Sequence, residues 1–171
     1  GGQVNWIGES RTVELTINTI SSLLTKADTY YNNKNYEKAI ENYLEVLKYD
    51  ENHIYAIKQL ATVYNVKLKE PQQAAQYLKK AYEINPKDDI ILGNYAWNQY
   101  GIGNIDKGIE LFEVLTKLLP ESPTAYYGIG LSYASYTKQD SVSAIKYFEI
   151  ALDKGLANDS KDYAQAYMAD H

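Results

Sequence analysis

The chain has no cysteine, and that absence removes disulfides, thiol catalysis and thiolate metal ligation together. Histidine is nearly as scarce: only His53 and His171 occur, so a site built on converging imidazoles has almost nothing to draw on. Long apolar runs are missing too. Uncharged stretches such as Ile90 to Gly93 and Ala125 to Leu131 fall far short of the roughly 20 residues that a bilayer-spanning helix needs, so direct membrane insertion is not expected. There is no excess of basic charge: 17 Lys and Arg against 22 Asp and Glu leave a net charge of −5, and nucleic acid is not an expected partner. An initiating Met is lacking, and Gly1-Gly2 reads as an expression scar or as the stump of a removed N-terminal segment. The expected compartment stays open between export, to a periplasmic or membrane-associated place, and the cytoplasm.

What is present is one domain's worth of chain, 171 residues of which 45% are hydrophobic, enough to bury a core. Within it a small residue followed three positions on by an aromatic or polar one recurs every 34 or 35 residues: Ala27 with Tyr30, Ala61 with Tyr64, Ala96 with Gln99, Gly130 with Tyr133. A second series has a small residue followed four positions on by a large one. It runs Ala39 with Tyr43, Ala74 with Leu78, Gly108 with Phe112 and Ala144 with Phe148. Two interleaved series with helical spacing mean two helices per repeat. The small residues let helices approach closely, and the large ones fill the gap a turn away.

Turn residues divide the chain in the same way. Pro86 and Pro120 each follow an apolar run and mark a helix end; Pro71 and Pro123 stand where a first helical turn tolerates proline. Asn35, Asn104, Ser122 and Ser160 are expected N-caps, and Asp88-Asp89 is expected to cap another helix. The turns near Lys69-Glu70 and Lys138-Gln139-Asp140 are longer by one and two residues, an extension that loops absorb at little cost. Ser10 to Leu24 carries Val13, Ile17, Ile20 and Leu24 at helical spacing, while the alternation Val13, Leu15, Ile17 leaves a strand open. The helix is preferred, with Trp6 and Ile7 as a less ordered lead.

These residues resemble the tetratricopeptide repeat (TPR) family. Ile57, Leu60, Ala61 and Tyr64 with Ala74, Leu78 and Pro86, and Tyr126, Ile129, Gly130 and Tyr133 with Ala144 and Phe148, follow its pattern. The third copy matches through Leu92, Tyr95, Ala96, Gly108, Phe112 and Pro120 but has Gln99 where tyrosine is usual; the first has Lys26 at an apolar place and Glu51 where the proline would stand. The resemblance implies an all-α fold, a right-handed superhelical solenoid of about four helix-turn-helix repeats over 20–53, 54–88, 89–121 and 122–156. An N-terminal lead and capping segment, 1–19, and a C-terminal capping helix or truncated repeat, 157–171, complete the expected organisation.

No catalytic set is apparent, and neither a cofactor nor a metal is expected. Gly101-Ile102-Gly103 lacks the preceding strand and following Lys-Ser or Lys-Thr of a phosphate loop and reads as a turn. The two histidines read as solvated surface residues, and the lysines Lys58, Lys67, Lys69, Lys79, Lys80 and Lys87 as a solvated face.

Of the 18 tyrosines, Tyr30, Tyr36, Tyr43, Tyr64, Tyr95, Tyr126 and Tyr133 fall where such a repeat places its core. The faces of the first helices that point away from their hairpin partners carry Tyr31, Tyr55, Lys58, Gln59, Asn94, Trp97, Tyr100 and Tyr127. Rings beside amides suit an extended peptide, since amides bond its backbone while rings cover its side chains. Some family members clamp acidic chaperone tails with lysine and asparagine, but Leu24 and Asp28 occupy the first such positions. One repeat along, only Lys58 and Asn94 fit among Lys58, Thr62, Asn94, Thr124 and Gly128. The expected function is therefore a non-catalytic scaffold for a protein or peptide. The alternatives are a structural or self-associating module, a homo-oligomer among them, whose groove is filled by its own terminal helix, and glycan or small-molecule binding by the rings.

Overall fold

The computed structural model describes residues 6–171, with side chains from residue 8 onward; the Gly1-Gly2 question lies outside the described residues. They form nine α-helices and one π turn: α1 (Trp6–Asn32), α2 (Tyr36–Tyr49), α3 (Ile54–Thr62) with the π turn Val63–Lys67, α4 (Pro71–Ile84), α5 (Asp89–Gly101), α6 (Ile105–Leu118), α7 (Pro123–Ala134), α8 (Ser141–Asp153) and α9 (Asn158–Asp170). They fall into two compact units, one ending at Glu70 and one spanning Pro71–His171.

In the first unit α1 and α2 form a hairpin on which α3 packs. The helix reading of 10–24 holds and the strand reading does not: Thr12, Thr16, Thr19, Thr25 and Thr29 each donate a hydroxyl to the carbonyl one turn earlier, at 2.7 to 3.0 Å, which accommodates these β-branched residues in a helix. Helix also includes Trp6 and Ile7, in place of the less ordered lead. Burial begins near Ile20 and is complete at Ala27, so the earlier part of α1 extends beyond the hairpin contact. Asn35 caps α2 through its side chain, accepting from Lys38 N–H. The residue in the tight turn before it, Lys34, has φ 60°, a left-handed conformation that disfavours a side chain. The extra residue expected near Lys69 is taken up inside the helix as well as in the loop: the backbone widens to the five-residue π turn before Lys69 reverses the chain at φ 58°.

In the second unit α5 pairs with α6 and α7 with α8, while α4, α5, α6, α7, α8 and α9 pack on one another in sequence. Asp88 caps α5 by accepting from Ile91 N–H at 2.9 Å, as expected. Two other expected caps stand at N-cap positions without making the bond. Asn104 instead donates its amide to Gln99 at 3.0 Å, and the Ser122 hydroxyl bonds that of Thr124. Ser160 is no cap either, because α9 starts two residues earlier, at Asn158.

The second small-large series is core throughout: Ala39, Tyr43, Ala74, Phe112, Ala144 and Phe148 are fully enclosed, and Leu78 nearly so. The close approaches are most severe in α7. A methyl group placed at Gly130 would lie 2.6 Å from the Phe148 ring of α8, and one at Gly128 would lie 2.5 Å from the Phe112 ring of α6. Both glycines therefore exist to admit a phenylalanine. Gly130 follows from the repeat pattern; the role of Gly128 does not.

Candidate functional site

The first-helix faces of the two units carry two different side-chain clusters. In the first unit the centre is Asp28, half-buried on α1. Its Oδ1 accepts the Tyr43 hydroxyl at 2.6 Å and the Tyr55 hydroxyl at 3.0 Å, and the two rings meet edge to face at 6.5 Å. Burial first, and then the Asp28 carboxylate, push the Tyr43 phenol far above the ordinary tyrosine value; burial and Asp28 likewise raise Tyr55, against an opposing hydrogen bond with Gln59. Both phenols thus remain donors at neutral pH. Tyr31 completes the group, edge-on to Tyr36 at 5.9 Å with the Lys67 ammonium 5.5 Å from its ring centre. Of the expected site residues Tyr31, Tyr55, Lys58 and Gln59, the first, second and last gather around Asp28; Lys58 is half-buried on the same helix as Tyr55.

In the second unit the centre is Trp97. One turn of α5 brings Tyr100 edge-on to it at 6.0 Å, and Phe112 of α6 lies beneath at 4.9 Å. The Tyr127 ring of α7 stands 6.4 Å from the indole. Trp97 keeps 36% of its surface exposed although Phe112 is fully enclosed, so the indole is anchored from below and open above. Asn94, one turn before it, is exposed. Tyr127 is not open in the same degree: Tyr163 of α9 packs edge-on against it at 6.4 Å, and α9 also lays Tyr163 and Tyr167 on Phe148. Burial raises the pKa of Tyr100 and of Tyr127, the latter against an opposing hydrogen bond with Ser160.

The other singled-out residues have other employments. Tyr43 and Tyr95 are buried core as expected, but Tyr30, Tyr36, Tyr64, Tyr126 and Tyr133 are only half-buried. Where the usual tyrosine is replaced by Gln99, a buried amide chain stands in its place: Asn104 donates to Gln99, Gln99 to Asn98, and Asn98 to the Pro71 carbonyl at 2.8 Å. Neither histidine is simply solvated. His53 Nδ1 accepts from Ala56 N–H as the N-cap of α3, and His171 stacks on Tyr167 at 4.2 Å. Among the described residues no group of three or more His, Asp and Glu could hold a metal ion, and no helix is long and apolar enough to cross a membrane. Asp28 falls on the expected first-helix face, in helical phase with Leu24 and Tyr31; what sequence reasoning missed is its place at the centre of a cluster, because the phenols that meet it come from two other helices.

Consecutive helix hairpins with small-residue contacts and ring-bearing first-helix faces define a helical-repeat scaffold. Two models of the tetratricopeptide repeat match, one over residues 21–53 and one over 66–129, together more than half of the chain. The chain belongs to the tetratricopeptide-repeat family, whose all-α solenoid fold is that of protein-interaction scaffolds. A TPR repeat-containing protein of Methanocaldococcus jannaschii, MJ1428, is 25% identical over an alignment of 159 residues that covers 88% of this chain and 26% of that protein, so the chain spans about a quarter of the length of that relative. Among solved structures, YrrB, a TPR protein with an unusual peptide-binding site, superposes with a TM-score of 0.76 at 22% identity, over 92% of this chain and 79% of YrrB. MamA gives 0.71 at 22% identity over 88% of each chain, and a tetratricopeptide repeat protein from Parabacteroides merdae gives 0.75 at 19% identity, over 88% of this chain and 59% of that one. At such identities the likeness is one of fold.

Proposed function

We propose that the chain is a non-catalytic scaffold that binds a polypeptide segment through its first-helix faces, with Trp97 as the anchor of the second unit. The supporting observation is the indole itself, seated on the enclosed Phe112 ring yet 36% exposed, with the exposed Asn94 amide one turn away. A large ring fixed from beneath loses little entropy when a partner covers it, and such rings are the commonest binding hot spots. The peptide-binding character of YrrB agrees with this reading.

A second reading has its own observation. Tyr163 of α9 already covers one side of Tyr127, which favours a role for that tyrosine in closing the fold by its own terminal helix. The two readings separate on one variant. Peptides selected from a random phage library on the parent protein should bind Trp97→Ala more weakly by roughly 2 kcal/mol, while circular dichroism and the melting transition stay close to those of the parent. Unchanged affinity with a large fall in melting temperature would show that the indole is part of the core and not an anchor.

A further inference from the structure

Asp28 lines one end of an open surface depression of about 410 Å³, together with Ile17, Ile20, Ser21, Leu24, Thr25 and His53. A second one of about 400 Å³ continues along the same helix, lined by Glu9, Ser10, Val13, Glu14 and Ile17. Val13, Ile17, Ile20, Leu24 and Asp28 are spaced four, three, four and four residues apart and so form one stripe down α1. The stripe is apolar along its length, acidic at both ends, and open: Val13 is 58% and Ile17 60% exposed.

From this we infer that the α1 stripe binds a polypeptide segment that lays apolar side chains over Val13, Ile17 and Ile20 and places a lysine or arginine on Asp28. The inference rests on the scaffold reading above and gives it a ligand chemistry. The carboxylate is already oriented, because two phenols converge on its Oδ1. A carboxylate offers about four acceptor sites, so Oδ2 remains for an incoming donor. Among the described residues no lysine, arginine or histidine forms an ion pair with Asp28. A lysine or arginine stem can lie along Leu24 while its head reaches Oδ2 beside the Tyr55 ring, which is 41% exposed. A neutral apolar residue at this place would bury Oδ2 without a donor and the charge without a counter-ion, and an acidic one would be repelled, so the site selects for a cation by penalising the alternatives. Glu9 and Glu14 extend the same preference to basic residues at the other end of the segment.

The test uses a positional-scanning library of acetylated, amidated octapeptides, with one position held constant in each pool, and measures retention on the whole chain. Pools holding arginine or lysine beside apolar residues should be retained roughly tenfold better than pools holding glutamine there. Asp28→Asn keeps an oxygen for both phenols and should abolish that preference. Glu41→Gln, which removes the same charge from an exposed position on α2, should keep it. The ratio of the two pools is read at Asp28 and overall affinity at Trp97, so failure of the Trp97 anchor (unchanged affinity in Trp97→Ala) and failure of the Asp28 site (an unchanged ratio in Asp28→Asn) are read separately. An equal preference in the parent and in Asp28→Asn, its equal loss in Glu41→Gln, or no preference at all would overturn the inference.

Discussion

The first-helix faces of the two units obey one helical spacing and are held together by different forces. Around Asp28 cohesion is polar: two phenols from α2 and α3 converge on one carboxylate oxygen, and the geometry depends on hydrogen-bond directions. Around Trp97 cohesion is steric: Phe112 enters the space left by Gly128, and the indole rests on Phe112. A polar junction can lose one atom and keep its shape, because the ring that carries the hydroxyl remains. A steric junction cannot gain one, because the interior is already close-packed.

The most forceful way to break this contrast is to add volume in the second unit. Gly130→Leu drives a side chain into the Phe148 ring, 2.6 Å from where the first added carbon would stand, and should destabilise the chain by about 1 to 3 kcal/mol or more in urea denaturation. A midpoint equal to that of the parent would mean that α7 and α8 are not in the contact described.

Removing one oxygen from the first unit should cost less. Tyr43→Phe deletes the 2.6 Å bond to Asp28 while keeping the enclosed ring, and a loss of about 1.5 kcal/mol is expected. The same bond sets a pH dependence. Because the folded-state pKa of Tyr43 is raised, its contribution is fully present below the ordinary tyrosine value of about 10 and declines as pH rises above it. Parent stability should therefore fall more steeply above pH 10 than that of Tyr43→Phe, and parallel alkaline melting curves would remove Tyr43 as the cause.

The smallest expected effect sharpens the comparison within the turns. Lys34, Lys69 and Gln139 hold left-handed conformations at the hairpin reversals, where Gly103 supplies the same conformation without strain. Lys34→Gly should thus stabilise the chain by up to about 1 kcal/mol, since relief of the left-handed penalty outweighs the added chain entropy. A lower melting temperature would place the importance of Lys34 in its side chain.

The sequence made the helices legible because a 34- or 35-residue period and a small-large spacing record which residues must be close within one hairpin. Ala39 with Tyr43, Gly108 with Phe112 and Ala144 with Phe148 could be paired from spacing alone, and all of them are core. Caps were less legible. Asn35 and Asp88 bond as their residue types suggest, but Asn104 turns to Gln99, because the missing tyrosine left a buried amide that needed a partner. A side chain with several possible partners is decided by what else is unsatisfied nearby.

By itself the sequence determined an array of helical hairpins, the small-large contacts that recur with the repeat and the helical faces on which its rings lie, since each follows from periodicity along the chain. Tertiary structure alone decided that Gly128 makes room for Phe112, that α9 reaches Tyr127, and that Asp28 receives hydroxyls from residues 15 and 27 positions away. Those contacts join different helices, and helical spacing carries no record of which residue on a neighbouring helix will arrive.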